Sequence, residues 1–220
     1  MAFKIDGDKR AGGEGNDFGR IEDGTYPARF VQLIDVGEQE NTDYKTGEAL
    51  GTYSRKLFLT YEFPTERIEV KGEDKPRWLS ENQKFSMSEK ANLPKRLKAL
   101  GTGKEKTIED MLGNPCMVEV SSTSGGKAKV ANVSKPMKGM QVGALENTAR
   151  AFDMDDANME VWDELPNFMK EMIQNARNFR GSDIEQKLIE RGDDVESDDG
   201  PGNDAAGEPD FDDDVPFDDE

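Results

Sequence analysis

The sequence predicts a mainly β domain that is followed by helices and an acidic tail. Residues 52–63 place large apolar side chains at every second position, which is typical of a strand with one buried face. Gly125-Gly126 separates two further apolar stretches, and this pair predicts a hairpin because glycine adopts positive φ without steric cost. Charge also changes along the chain, since residues 24–140 carry a net +3 and residues 191–220 a net −13. The positive and negative groups therefore belong to different parts of the protein.

Five strands and one helix account for the mainly β domain. The first strand is rich in aromatic and β-branched residues and is bounded by glycines. The helix tolerates Pro94 in its first turn and ends at Gly101. Pro64 is expected to end the second strand, and the residues after it to form an insertion. The predicted elements are strands at 24–37, 52–63, 83–87, 115–121 and 127–133, a helix at 92–100 and a helical turn at 107–112.

This order, with a helix between the third and fourth strands, is that of a five-stranded Greek-key barrel of the OB type. Other small α+β domains share the order, so the pattern does not separate them from a barrel. The segment 24–140 is longer than such a barrel needs. A long loop after the first strand and the insertion after Pro64 would absorb the excess.

Composition divides the chain into four parts. Ser182 and Glu185 have the spacing of a capping box that opens the last helix, and Gly192 ends this helix. The parts are a flexible N-terminal arm at 1–23, the OB-fold domain at 24–140, a linker and amphipathic helices at 141–192, and a disordered acidic tail at 193–220.

Apolar residues recur at helical spacing in the third part of the chain. They either pack on the β domain or form a surface for a partner or for self-association. These residues are Leu165, Phe168, Met169, Met172, Ile173, Ala176 and Phe179.

The composition argues against an enzyme, a cofactor or a metal site. The chain has no histidine, which is the commonest general base and metal ligand at neutral pH. Cys116 is the one cysteine and lies in an apolar strand, so a core position is expected for it. A signal peptide and an apolar run of transmembrane length are both lacking, and a cytoplasmic protein is expected.

Aromatic and basic residues are interleaved along the predicted strands and in the first long loop. Single-strand binding needs this mixture, because bases stack on aromatic rings while cations contact phosphates. Phe58 stands out because it shares a strand face with Lys56 and Thr60. The alternatives are core packing for the aromatics and solubilising surface charge for the lysines. The candidate residues are Phe30, Tyr44, Lys45, Tyr53, Arg55, Lys56, Phe58, Trp78, Lys84, Phe85, Lys127 and Lys129.

A second basic run follows the strands and extends through the predicted helix. It forms either a phosphate track or the solvated face of that helix. The run consists of Lys95, Arg96, Lys98, Lys104 and Lys106.

The tail contains the string DFDDDVPF, which resembles the acidic tip of bacterial single-stranded DNA-binding proteins. An aspartate cluster can pair with a basic rim while the phenylalanine enters an apolar pocket of a partner protein. In the bacterial proteins the phenylalanine is the last residue, whereas Asp218, Asp219 and Glu220 follow it here. The residues of the string are Asp210, Phe211, Asp212, Asp213, Asp214, Val215, Pro216 and Phe217.

Taken whole, the chain resembles the single-stranded DNA-binding proteins of bacteriophages. The stretches GTYPARFVQLIDV, RKLFLTYEF and GNPCMVEV carry this resemblance together with the tip. It implies an OB fold that binds single strands of any sequence in phage DNA replication, recombination or repair, without catalysis. It further implies phage or host replication and recombination proteins as partners of the tip, self-association along DNA, and a location in the infected bacterial cell.

The competing interpretation is an acidic DNA mimic or an inhibitor of a host enzyme. Such a protein should spread negative charge over its folded surface. The negative excess here lies in residues 191–220, beside a domain with a net positive charge. The charge distribution therefore favours nucleic-acid binding.

Overall fold

The structure is a computed structural model that describes residues 21–43, 46–70 and 72–193. Strands predominate up to residue 152 and helices after it. The strands are β1 (Gly24–Thr42), β2 (Ala49–Val70), β3 (Glu73–Lys84), β4 (Pro115–Ser122), β5 (Ala128–Ser134) and β6 (Arg150–Phe152). The helices are α1 (Asn92–Leu100), α2 (Met159–Glu164), α3 (Asn167–Gln174) and α4 (Asp183–Arg191), with a short 3-10 turn at Glu109–Met111.

The described strands form one sheet in the order β3-β2-β1-β4-β5, with antiparallel neighbours throughout. The short β6 pairs with β1 in parallel. The prediction of a mainly β fold is therefore confirmed. The predicted helix at 92–100 and the hairpin between β4 and β5 are confirmed as well. In the described part of the chain, no helix is both long and apolar enough to cross a membrane.

The prediction that Pro64 ends the second strand was wrong. β2 continues to Val70, and its register with β3 jumps between Phe63 and Arg67. Pro64 lies in this irregularity, where the ladder does not need the N–H that proline lacks. The expected insertion is thus a continuation of the β2–β3 hairpin. The third strand is Glu73–Lys84 and ends before Phe85, so the prediction at 83–87 was right for its first two residues and wrong for the rest.

The two faces of the sheet support two hydrophobic cores. One core contains Leu57, Leu59 and Tyr61 and is covered by α1, whose Leu93, Leu97 and Leu100 recur at helical spacing on one side. The other core lies on the opposite face, where Ile34, Val36 and Phe58 pack against the C-terminal helices. Both faces of β2 are therefore buried at its centre.

The apolar stripe of the C-terminal segment packs on the sheet, as the first of its two interpretations expected. Leu165, Met169, Ile173, Ala176 and Phe179 are buried in the second core. The interpretation of this stripe as an exposed docking surface was wrong.

The prediction of a linker before these helices was also wrong in part. β6 lies within residues 141–158, where the linker was expected, and pairs with Gln32–Ile34 of β1. Phe152 and Met154 are buried beside it in the second core. Residues 150–154 therefore belong to the packed structure.

A buried ion pair joins α1 to the sheet. The Arg96 Nε atom donates to both Glu81 oxygens, at 3.1 and 3.2 Å. The same guanidinium donates to Asn132 Oδ1 and to the Ala131 carbonyl on β5. Tyr61 donates its hydroxyl to Glu81 at 2.6 Å. Arg96 therefore connects β3 and β5, the two ends of the strand order, through one side chain.

Gly37 allows β1 to bend beneath the C-terminal segment. The register of β1 shifts between Asp35 and Glu38, and Gly37 has a φ of 74°. A Cβ atom at this position would lie 2.6 Å from the Ala176 Cβ atom. Glycine is therefore required here both by the backbone conformation and by the close approach of the neighbouring segment.

We expect Gly37→Ala to lower the free energy of unfolding by about 1–3 kcal/mol more than Gly139→Ala does. Gly139 has a similar φ of 86°, but a Cβ there would have no described heavy atom within 4 Å. Both substitutions therefore strain the backbone to a similar extent. The difference between the two losses of stability measures the overpacking at Gly37 alone. Urea denaturation followed by circular dichroism measures it. Equal losses in the two variants would contradict the close packing at Gly37.

Candidate nucleic-acid interface

Five of the predicted site residues meet at one end of the β2–β3 pair. The Phe85 backbone N–H donates to the Arg55 carbonyl at 2.8 Å, which fixes Phe85 just beyond the end of β3. Lys56 and Lys84 are directly opposite one another in the register. Tyr53 lies two residues before Arg55 on the same strand, roughly 7 Å along it. Tyr53, Arg55, Lys56, Lys84 and Phe85 are called the β2–β3 end cluster below.

The end cluster presents two aromatic rings to solvent. Phe85 is 47% exposed and Tyr53 is 42% exposed, and among the described aromatic residues only these two are exposed. The Arg177 guanidinium lies 4.9 Å above the centre of the Tyr53 ring. Lys84 and Arg177 are exposed as well. The Tyr53 ring and a cation therefore lie together on the surface, and Phe85 directly follows the exposed Lys84 in the chain.

Arg55 is held by acidic neighbours. Its Nε atom donates to Asp35 Oδ2 at 3.0 Å, and its Nη2 atom contacts Asp153 at 3.2 Å and Asp155 at 2.9 Å. The hydrogen bond to Asp35 is the main cause that raises the pKa of Arg55 above its usual value. Three carboxylates surround one guanidinium, so the local charge is negative. The phosphate contact predicted for Arg55 therefore gains no support from this geometry.

A cavity of about 280 Å³ opens beside Arg55 and Phe85. Its apolar lining comes from strands of the sheet and from the residues before β4. The polar lining is mainly acidic. The cavity is lined by Leu33, Asp35, Arg55, Leu57, Phe85, Thr107, Ile108, Glu109, Phe152 and Asp153. Lys106, from the predicted basic run, immediately precedes the lining residue Thr107 and is exposed.

Two predicted site residues are core residues, and their assignment to the interface was wrong. Phe30 and Phe58 are both fully buried. Phe30 packs against Tyr61 with ring centres 6.0 Å apart in the first core. Phe58 lies in the second core, because the C-terminal helices cover the strand face that the sequence suggested was solvated. Neither ring can stack on a base in this structure.

Trp78 is half-buried, and its polar atom is already used. Its Nε1 atom donates to Glu62 at 3.2 Å, and the Arg150 guanidinium lies 5.8 Å from its ring centre. Glu62 is fully buried and also accepts hydrogen bonds from the backbone of Glu146 and from Asn147. Trp78 therefore helps to cover a buried carboxylate, outside the end cluster.

The remaining predicted residues are not brought to the end cluster. Lys127 and Lys129 lie at the β4–β5 hairpin, next to the start of β1, whereas Arg55 pairs near the other end of β1. Tyr44 and Lys45 lie outside the described residues, as does the tip at 210–217.

Cys116 is confirmed as a core residue. It is fully buried, and its thiol lies 3.6 Å from the Ala28 carbonyl oxygen. Burial raises the pKa of this thiol to about 12. The thiolate, which is the nucleophilic form, is therefore scarce at neutral pH.

Sequence reasoning missed several residues of this region. Arg177 stands among the apolar residues of the C-terminal stripe, and Phe152 and Asp153 stand in the expected linker. No local pattern marks them, because long-range packing brings them to the end cluster. Comparisons with protein-family models, curated proteins and solved structures found no match. The functional interpretation therefore depends on the residues described above.

Proposed function

We propose that this protein binds single-stranded DNA and coats it during phage DNA replication, recombination or repair, without a catalytic step. The end cluster would hold the strand, and the acidic tail at 193–220 would recruit replication and recombination proteins. Its place of action would be the cytoplasm of an infected bacterial cell. The proposal combines the exposed residues of the end cluster with the resemblance of the tip.

We further propose that the sheet is an OB-type barrel. The order β3-β2-β1-β4-β5 brings the first strand between the second and the fourth, as this barrel requires. α1 follows β3 in the chain and contacts β3, β4 and β5. Its Arg96 side chain connects β3 with β5, between which the barrel would close.

The observation that carries the binding proposal is the exposure of Phe85 and Tyr53, one hydrogen-bonded through its backbone to Arg55 and the other two residues before it. Soluble proteins usually bury their aromatic rings, and exposed rings beside cations fit a strand whose bases have been unstacked. Lys84 and Arg177 could contact the phosphates that join the stacked bases. The modest net charge of +3 for residues 24–140 is compatible with this mode, because stacking supplies much of the affinity.

A second candidate, an acidic DNA mimic or inhibitor, has one observation in its favour. Asp155, Asp156, Glu160, Asp163 and Glu164 are exposed and fall within ten residues of one another. Arg55, Arg150 and Arg191 pair with three of them, and the remaining excess gives this part of the folded surface some of the negative charge that such a mimic needs. A protein of this class would bind no single-stranded DNA, so the two proposals predict opposite results in a direct titration.

We expect Phe85→Ala to weaken binding to labelled oligo-dT by about 5- to 150-fold, the range that loss of one stacked base implies. Ile189→Ala is the control, because Ile189 is also an exposed apolar residue but lies on α4, away from the end cluster. Fluorescence anisotropy titrations at one fixed salt concentration give both affinities. Equal affinities of the two variants would remove Phe85 from the interface. Absence of binding by the unmodified chain would overturn the proposal and favour the acidic mimic.

A further inference from the structure

The cavity beside Phe85 has the volume and the apolar lining of a small-ligand site. Its volume of about 280 Å³ is just below the range of about 300–1,000 Å³ that is usual for drug-sized ligands. Leu33, Leu57, Ile108 and Phe152 supply apolar surface. Phe85, with nearly half of its surface exposed, also lines the cavity. An aromatic ring that entered would bury apolar area and contact the Phe85 side chain.

The polar lining of the cavity determines which ring fits. Asp35, Asp153 and Glu109 line it, against the single cation Arg55. Asp155 adds a further carboxylate through its contact with Arg55. A phosphate would be repelled by this excess of negative charge, whereas a group that donates hydrogen bonds would be attracted. The cavity is thus suited to the base of a nucleotide, with the phosphates left outside.

Asp153 is the lining carboxylate that is held in place through one oxygen and can accept such a hydrogen bond with the other. Its Oδ1 atom accepts from Arg55 at 3.2 Å and from the Asp155 N–H at 2.9 Å. Among the described residues, no donor is assigned to its Oδ2 atom. The side chain is 47% exposed, so a ligand can reach it. By contrast, Asp35 is almost fully buried and uses both oxygens, on Arg55 and on the Gly37 N–H.

We propose that this cavity binds one unpaired nucleobase that carries an exocyclic amino group, such as cytosine or adenine. The inference deepens the proposed function and rests on it. Cytosine N4 and adenine N6 are donors, and carboxylates accept from cytosine N4 in known modes of base recognition. Thymine and uracil present the O4 acceptor at the corresponding edge. This oxygen and the Asp153 carboxylate both carry negative charge and would repel one another. A single selective cavity is compatible with a strand whose other bases are only stacked.

The test compares oligo-dC with oligo-dU of equal length. Neither base carries a methyl group, so the two strands differ only in the amino or carbonyl edge and the adjacent ring nitrogen. For the full chain, we expect dC to bind about fivefold or more tightly than dU, the lower end of the discrimination given by one well-made base contact. Anisotropy titrations of both labelled strands at one salt concentration give this ratio.

Asp153→Asn is expected to bring the dC to dU affinity ratio within about twofold. An amide can turn either its oxygen or its NH₂ group toward the base. It can therefore hydrogen-bond with the N4 amino group of cytosine and with the O4 carbonyl of uracil. Asp156→Asn is the matched control, because Asp156 is exposed and does not line the cavity. Both substitutions remove one negative charge, and this charge effect is the same for dC and dU, so the ratio isolates the base contact.

The outcomes separate the two proposals. A dC preference that is lost in Asp153→Asn and kept in Asp156→Asn would support the cavity assignment. Equal binding of dC and dU by the full chain would overturn the cavity assignment and leave single-strand binding intact. The cavity would then be open to another occupant, such as a cationic side chain of a partner. Binding of neither strand would overturn the function and the inference together. A preference that survives in Asp153→Asn would also overturn the assignment.

Discussion

Replacing Arg96 with methionine is expected to lower the free energy of unfolding by about 3–5 kcal/mol, because Glu81 would remain buried without its counter-charge. Both side chains are more than nine-tenths buried, and they meet at 3.1 Å. The substitution also removes the donors to Asn132 Oδ1 and to the Ala131 carbonyl. Methionine keeps most of the side-chain volume, so the loss is mainly electrostatic.

Urea denaturation of Arg96→Met and of Lys95→Met measures this effect against a matched control. Lys95 is the preceding residue of the same helix and is exposed, so its replacement should change stability by less than about 0.5 kcal/mol. A second comparison uses Arg96→Met together with Glu81→Gln. The double variant should recover part of the loss, since it removes the isolated charge. Equal stability of the two single variants would contradict a structural role for the ion pair.

Phe58→Ala is expected to lower the free energy of unfolding by about 3–5 kcal/mol, the usual range for a fully buried phenylalanine. The Phe58 ring is fully buried beside Ile34 and Val36, under the C-terminal helices. Phe85→Ala is the natural comparison, because Phe85 is exposed and its loss should change stability by less than about 0.5 kcal/mol.

The same two variants should rank in the opposite order in the DNA titration. At a temperature where Phe58→Ala remains folded, it should bind oligo-dT nearly as well as the unmodified chain, whereas Phe85→Ala should not. Chemical denaturation and anisotropy measure the two properties independently. If Phe58→Ala weakened binding more than Phe85→Ala did, Phe58 would belong to the interface and the assignment of both rings would be reversed.

Phe58 shows what strand periodicity can and cannot predict. Alternation along β2 correctly assigned Leu57, Leu59 and Tyr61 to one face and Phe58 to the other. It contained no information on what covers each face. The cover comes from helices more than 100 residues further along the chain. Fold class was therefore accessible from sequence, while the solvent exposure of a particular ring was not.

Elements that depend on neighbouring residues were predicted well. Ser182 accepts from the Glu185 N–H at the start of α4, and Gly192 ends this helix with a φ of 82°. Both signals act within a few residues, so distant packing does not override them. Pro64 failed as a signal because a bulge accommodates it inside the β2–β3 pairing.

The candidate cavity depends on residues that are distant in the sequence. Leu33, Phe85, Ile108 and Asp153 come from four separate parts of the chain. Each one is an ordinary apolar or acidic residue in its local context. Their meeting follows from the pairing of β6 with β1 and from the position of Phe85 beside Arg55. Such a site can be recognised only from the three-dimensional structure.

The central position of β1 has a consequence for synthesis of the chain. β1 pairs with β2, β4 and β6, so its last partner, Arg150–Phe152, leaves the ribosome long after β1 itself. Until then Ile34, Val36 and Phe58 lack the helices that cover them in the finished fold. Long-range strand pairing is slow, and exposed apolar strands invite association with other chains. A nascent chain halted before residue 150 should therefore be a substrate for chaperones that bind apolar segments.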